Sequence, residues 1–109
     1  MYRLDGLNVE LTREDSLTLL VSFPGRELPE GTRALFTIKK HPKDPVAVLE
    51  KEMNVEGSRA EIVLSSAETD LPARTYWWDL RLMIPGEEME ILTPMEYAAF
   101  SILEVIGDV

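Results

Sequence analysis

The chain has 109 residues, no cysteine, one histidine (His41) and a net charge of −9, because it contains 20 acidic and 11 basic residues. The length predicts a single domain over residues 1–109. The absence of cysteine excludes disulfides, thiolate metal sites and cysteine nucleophiles. The negative charge repels the phosphates of nucleic acids and of anionic membrane surfaces, so neither is an expected partner.

The N-terminal residues 1–6 contain no apolar segment of the kind found in a signal peptide, and no apolar run in the chain reaches membrane-spanning length. The sequence therefore predicts a protein that is made in the cytoplasm.

Short segments with alternating apolar and polar side chains fill the first half of the chain. Residues 9–11 predict a first strand, and residues 16–23 predict a longer one. A connection rich in proline and glycine leads to a third alternating segment, residues 34–39. Residues 54–58 predict a turn, and residues 60–64 alternate again.

The segment 46–51 is open to two interpretations. Asp44 is a suitable helix cap and Pro45 a suitable first helical residue, which indicates a helix. The segment is short and lies among predicted strands, which favours a strand. We prefer the strand and keep the helix as the alternative.

The second half of the chain is dominated by one long predicted strand, residues 75–84. Every second side chain shares a face with Trp78, and the opposite face carries Trp77 and Met83 with two charged residues between them. Pro85 and Gly86 suit the centre of a type II turn, after which residues 88–92 return as the partner strand. A last apolar strand follows a break at Thr93-Pro94 and continues to Gly107.

A turn-rich segment from Asp70 ends in Tyr76 at the start of the long strand. This order matches the tyrosine corner of immunoglobulin-like sandwiches, in which the tyrosine hydroxyl bonds to backbone just upstream. With seven or eight predicted strands and no convincing long helix, the sequence predicts an all-β, immunoglobulin-like antiparallel sandwich of two sheets.

Four side chains are candidates for contacts with other molecules. Trp77 lies opposite the predicted core face, and tryptophan is enriched at interface hot spots. Met83 shares that face. Ile102 and Leu103 belong to a final strand, with Val105 and Ile106, that is more apolar than one buried face requires. The alternative is that neighbouring strands or the chain termini cover the Trp77 ring.

The residues give no indication of catalysis. Glu87, Glu88 and Glu90 cluster at a predicted hairpin tip, where solvent keeps carboxylates from acid–base work. The basic cluster at residues 39–43 is expected to be a solvated turn, or else a docking site for an acidic neighbour. We expect no enzyme activity, no metal and no cofactor.

Two family resemblances add to these expectations. The segment Leu71-Pro72-Ala73-Arg74-Thr75-Tyr76 resembles the strand E–F region of fibronectin type III and related immunoglobulin-like domains. A longer resemblance is to small β-sandwich proteins of phage and prophage tails, including the N-terminal domain of baseplate upper proteins. It rests on the segments Arg13–Leu19, Ala34–Lys39, Thr69–Leu71, Tyr76–Leu80, Ile91–Pro94 and Phe100–Ile102, and on Val105.

The phage resemblance implies a non-enzymatic virion component that is built into an oligomeric tail or host-contact assembly. We expect protein partners, through self-association or docking on another protein by an open sheet edge and the Trp77 face. The alternative is a carbohydrate- or ligand-binding sandwich in which Trp77 is a stacking platform. A Trp77 packed against another chain favours the first function, and a solvent-facing Trp77 beside polar groups in a groove favours the second.

Overall fold

The computed structural model describes residues 2–5, 7–23, 27–92 and 97–104. All regular elements in these ranges are strands, and none of the described residues forms a helix that is long and apolar enough to span a bilayer. The strands are β1 Tyr2–Asp5, β2 Asn8–Thr12, β3 Leu17–Ser22, β4 Arg33–Lys39, β5 Leu49–Glu56, β6 Arg59–Leu64, β7 Arg74–Ile84, β8 Glu90–Leu92 and β9 Ala98–Leu103.

The strands form one curled sheet in the order β1-β2-β9-β7-β4-β5-β6-β3, with β8 added beside β7. The sheet bends within β5, because residues 49–53 pair with β4 whereas residues 54–56 pair with β6. We call β1, β2, β9, β7 and β4, with β8, the long arm, and β6 with β3 the short arm. The pairing of β2 with β9 is parallel, and the other pairings are antiparallel.

The core lies on the inner side of the curled sheet. Its centre is Phe36, whose ring lies 5.4 Å from that of Trp78 and 6.2 Å from that of Phe100 between centroids. The inward residues are buried as their alternation predicts: Leu19, Phe36, Ile38, Ile62, Trp78, Leu80 and Leu82. Val21, which the alternation places with them, is only half-buried. The all-β prediction is therefore confirmed, together with the register of the long strand, since Trp78 is 2% exposed and Trp77 is half-buried.

The helix considered for residues 46–51 does not form. The Asp44 carboxylate accepts a hydrogen bond from the Val46 amide at 3.1 Å, which makes a local turn, and the Val48 amide bonds to the Ile38 carbonyl at 2.8 Å. The strand begins at Leu49 and continues to Glu56, so the predicted turn at 54–58 shrinks to its last residues. Gly57 has a φ of +60°, a conformation that glycine adopts without steric cost, and it lets β5 pair directly with β6.

The type II turn predicted at Pro85-Gly86 is wrong. Five residues separate Ile84 from its partner Glu90, and the described glycines with positive φ are Gly31 and Gly57. A loop of this length reverses the chain without a positive φ at Gly86. The returning strand β8 is also shorter than predicted. The break at Thr93-Pro94 and the end of the last strand, residues 105–107, lie outside the described residues.

Tyr76 makes the predicted hydrogen bond to the loop before it. Its hydroxyl donates to the Pro72 carbonyl at 2.7 Å, and its ring is fully buried. Burial raises the pKa of the Tyr76 hydroxyl, because the phenolate would be charged. Asp70, where the predicted tyrosine corner begins, is held by a different contact: its carboxylate accepts a hydrogen bond from Arg13 Nε at 2.7 Å.

A second polar contact fixes the turn that precedes β7. Lys51 Nζ on β5 donates to the Val63 carbonyl at 2.7 Å and to the Glu68 carboxylate at 2.8 Å. The same carboxylate accepts the Ser65 amide at 2.9 Å. The hydrogen bond from Lys51, followed by that from the Ser65 backbone, lowers the pKa of Glu68.

Replacing Tyr76 by Phe is expected to lower the free energy of unfolding by about 1–2 kcal/mol, since the Pro72 carbonyl loses its partner. Urea denaturation measures this change. The matched control is Tyr97→Phe, because Tyr97 is 56% exposed and stability should stay within about 0.5 kcal/mol of the wild type. Equal losses in the two variants would contradict the buried hydrogen bond.

The Glu68 contact predicts a pH effect. Since the folded pKa of Glu68 lies below the unfolded one, its stabilisation is present above the unfolded pKa and is lost as pH falls through the folded pKa. Between about pH 6 and pH 3, the wild type should therefore lose more stability than Glu68→Gln, as measured by urea denaturation at each pH. Glu61→Gln, at an exposed position on β6, is the control, and it should keep the wild-type slope.

Candidate functional site

The candidate site is the outer face of the long arm, which is turned away from the core. β7 crosses the middle of this face because it pairs with β4 on one side and β9 on the other. Its alternation places Trp77, Asp79, Arg81 and Met83 outward, while the residues between them are buried. These side chains therefore form a row along the face, spaced two residues apart.

Trp77 is partly covered by its own chain. It lies between Lys39 on β4 and Ala99 on β9, and its ring meets that of Tyr97 edge-on, with 5.6 Å between centroids and 83° between planes. Edge-to-face contact is a preferred arrangement of aromatic rings. Tyr97 itself is 56% exposed, so the pair presents an aromatic surface to solvent. Trp77 is thus covered in part by its own chain, as the alternative expected, and the rest of its surface is accessible.

A groove runs beside the aromatic pair. Its volume is about 140 Å³. It is lined by Pro45 and Ala47 of the β4–β5 loop and by six strand residues: Leu35, Thr37, Lys39, Glu50, Asp79 and Arg81. Sites for drug-sized ligands usually enclose about 300–1,000 Å³. This groove is large enough for the end of one long side chain or for one edge of a ligand that extends beyond it.

Two of the other predicted contact residues lie far from Trp77. Met83 is six residues along β7, about 20 Å away at the usual rise per residue. There it pairs with Ile91 of β8, which is 59% exposed. Leu103 is 45% exposed at the end of β9. The outer face thus carries apolar groups at both ends of β7.

Ile102 is not available for contacts, which corrects the prediction for this residue. It is 2% exposed and belongs to the core, on the same side of β9 as Phe100. The apolar surplus of the last strand is therefore carried by Leu103 among the described residues, and Val105 and Ile106 lie outside them.

The charged groups near the two ends of the row differ in sign. Lys39, Lys40 and Lys43 make no ion pair within the described chain, and Arg74 donates to the Lys40 carbonyl at 3.3 Å. At the opposite end, Glu87 and Glu88 are exposed in the β7–β8 loop. Within the described ranges, no group of three or more histidine, aspartate or glutamate side chains is arranged to hold a metal ion.

The sequence did not indicate Tyr97 or Pro42, which both border Trp77. Tyr97 directly precedes β9, and it reaches Trp77 because Ala99 of that strand is the partner of Trp77 across the sheet. The contact between Tyr97 and Trp77 therefore depends on how β9 is aligned with β7. The one available signal was an aromatic residue at the start of a strand that pairs with the long one.

Comparison with known proteins identifies a family. Residues 5–100 match the family model described as "LtfC-like, beta-sandwich domain", which covers most of the chain. Neither the curated proteins nor the solved structures gave a match.

The ring contact predicts how the two tryptophans respond to a soluble quencher. Trp77→Phe should lower acrylamide quenching of the fluorescence, because the remaining Trp78 is 2% exposed. Tyr97→Ala should raise quenching above that of the wild type, since it removes the ring that covers one edge of Trp77. The control is Tyr97→Ala in the Trp77→Phe background, which should change little. Unchanged quenching in Tyr97→Ala alone would show that the two rings do not meet in solution.

Proposed function

This chain belongs to the family of LtfC-like β-sandwich domains, and we propose that it is a non-enzymatic structural module of a phage or prophage tail assembly. In this proposal it binds protein partners through the outer face of the long arm. It is made in the cytoplasm and becomes part of the virion.

The Trp77–Tyr97 pair carries the proposal. Large aromatic side chains supply much of the contact energy in protein interfaces, especially where part of the ring is already ordered by its neighbours. Trp77 is held by Tyr97 and by the strands on either side of it, so little side-chain freedom remains to be lost on binding. Exposed Ile91 and Met89 extend the apolar area at the far end of the face.

The strand pairing supports an immunoglobulin-like form of the sandwich. In that fold one sheet contains strands B, E and D, and the other contains C, F and G. The pairs β3–β6 and β6–β5 correspond to the first group, and β4–β7–β9 to the second. This chain differs in that β5 pairs with β4 as well, which joins the two groups into one curled sheet.

The proposed setting in a phage tail rests on the sequence resemblance. Three of the segments that carry it lie in strands: Ala34–Lys39 lies within β4, Tyr76–Leu80 within β7 and Phe100–Ile102 within β9. These three strands are neighbours in the long arm. The resemblance therefore concerns the same sheet that presents the candidate site.

A carbohydrate- or ligand-binding module is the second candidate. The observation in its favour is that Trp77 borders a hollow together with Thr37, Lys39 and Asp79, whose polar groups suit sugar hydroxyls. A glycan that shifts the Trp77 fluorescence at millimolar concentration, with the same effect in Val63→Ala and none in Trp77→Phe, would favour this candidate.

The proposal predicts that the chain is present in tail particles. Particles purified after induction of the strain that carries the gene should contain the chain in a fixed number of copies per tail, as measured by quantitative mass spectrometry. Complementation with Trp77→Ala should reduce incorporation about tenfold or more, the loss expected for a hot-spot aromatic.

The matched control for incorporation is Val63→Ala, because Val63 is 52% exposed on the short arm, away from the outer face. This variant should be incorporated like the wild type. Particles that lack the wild-type chain would overturn the proposed setting, and normal incorporation of Trp77→Ala would overturn the role of the outer face.

A further inference from the structure

The outward row on β7 is complementary to itself when it is reversed. Read along the strand, it is apolar, acidic, basic and apolar: Trp77, Asp79, Arg81 and Met83. When a second copy is placed on this row in the opposite direction, Trp77 of each copy lies over Met83 of the other. Asp79 of each copy then lies over Arg81 of the other. Neither Asp79 nor Arg81 makes an ion pair with another described residue, so both are available.

The neighbouring charges agree with the same orientation. The lysine-rich turn, with Lys40 and Lys43, lies beyond the Trp77 end of the row, and Glu87 and Glu88 lie beyond the Met83 end. Reversal brings the basic turn of one copy to the acidic loop of the other. Parallel stacking would instead set like charges together at both ends, which is unfavourable.

The groove offers a place for the partner's arginine. Its lining carries two carboxylates, Asp79 and Glu50, beside the cations Lys39 and Arg81 of the same copy, and its volume of about 140 Å³ suits the end of one long side chain. A guanidinium group matches carboxylates in shape and in the number of its donors. In the reversed arrangement the groove of each copy faces Arg81 of the other.

The apolar residues, rather than the charges, must supply most of the affinity. Exposed ion pairs contribute little because solvent screens them, but they select the orientation in which two surfaces meet. Trp77 and Tyr97 at one end, with Met83 and Ile91 at the other, provide four apolar groups per copy. The net charge of −9 opposes association, so only the complementary orientation is expected to form.

We propose that two copies of this chain dock outer face to outer face, with their β7 strands antiparallel, as a two-fold symmetric dimer. This inference rests on the proposed function and names one of its protein partners. In a two-fold interface each contact occurs twice, so Asp79 of one copy meets Arg81 of the other at two places. The same symmetry closes the assembly at two copies.

The test is a charge exchange measured by light scattering with size-exclusion chromatography over a range of protein concentrations. The wild type should reach twice the monomer mass and stop there. Asp79→Arg alone and Arg81→Asp alone each create two like-charge contacts, and each should weaken the dimer about tenfold or more. An equimolar mixture of the two variants should form a heterodimer, and the double exchange on one chain should restore the homodimer.

The matched controls are Glu61→Arg and Arg59→Asp, which alter the net charge by the same amounts at exposed positions on the short arm. Both should dimerise like the wild type, and thermal melting checks that every variant is folded. A wild type that stays monomeric at all concentrations, or a mixture that behaves like its separate components, overturns the dimer. Incorporation into tail particles is measured independently, so it shows whether the proposed function survives that result.

Discussion

The burial of Trp78 is the constraint on which the rest of the structure depends. Its indole packs against Phe36 and its Nε1 donates to the Leu7 carbonyl at 2.9 Å, a contact between residues 71 positions apart. A buried indole needs a partner for its N–H group, so this bond fixes the start of β2 against the central strand. Because side chains alternate along a strand, an inward Trp78 leaves Trp77 outward. The register of β7 therefore determines both which of its residues enter the core and which form the candidate site.

The elements that the sequence predicted well are those where alternation continues over many residues. β7 has eleven residues, and its two faces differ so clearly in polarity that a shift by one position would bury Asp79 and Arg81. The hydrogen bond of Tyr76 was predictable for a related reason: a buried tyrosine requires a partner, and the loop just before it is the nearest source of carbonyl groups.

The elements that the sequence did not predict depend on contacts between distant residues. β1 was missed because four residues next to β2 carry too little pattern to be identified without their partner strand. The bend within β5 likewise has no local signal, since the strand changes neighbours while its own alternation continues. Ile102 was predicted to be a contact residue because its segment is apolar on both faces, and only the pairing of β9 with β7 determines which face is buried. The same pairing brings Tyr97 to Trp77, which completes the candidate site.

The parallel pairing of β2 with β9 has a mechanical consequence. β2 lies near one end of the chain and β9 near the other, and both run in the same direction. A force that pulls the two chain ends apart therefore acts along these strands in opposite senses, and their hydrogen bonds are loaded together in shear. The antiparallel β1–β2 pair can instead be peeled open one bond at a time. Under tension, β1 should therefore separate from β2 first. The β2–β9 pairing should break only at higher force, and until then the aromatic core stays intact.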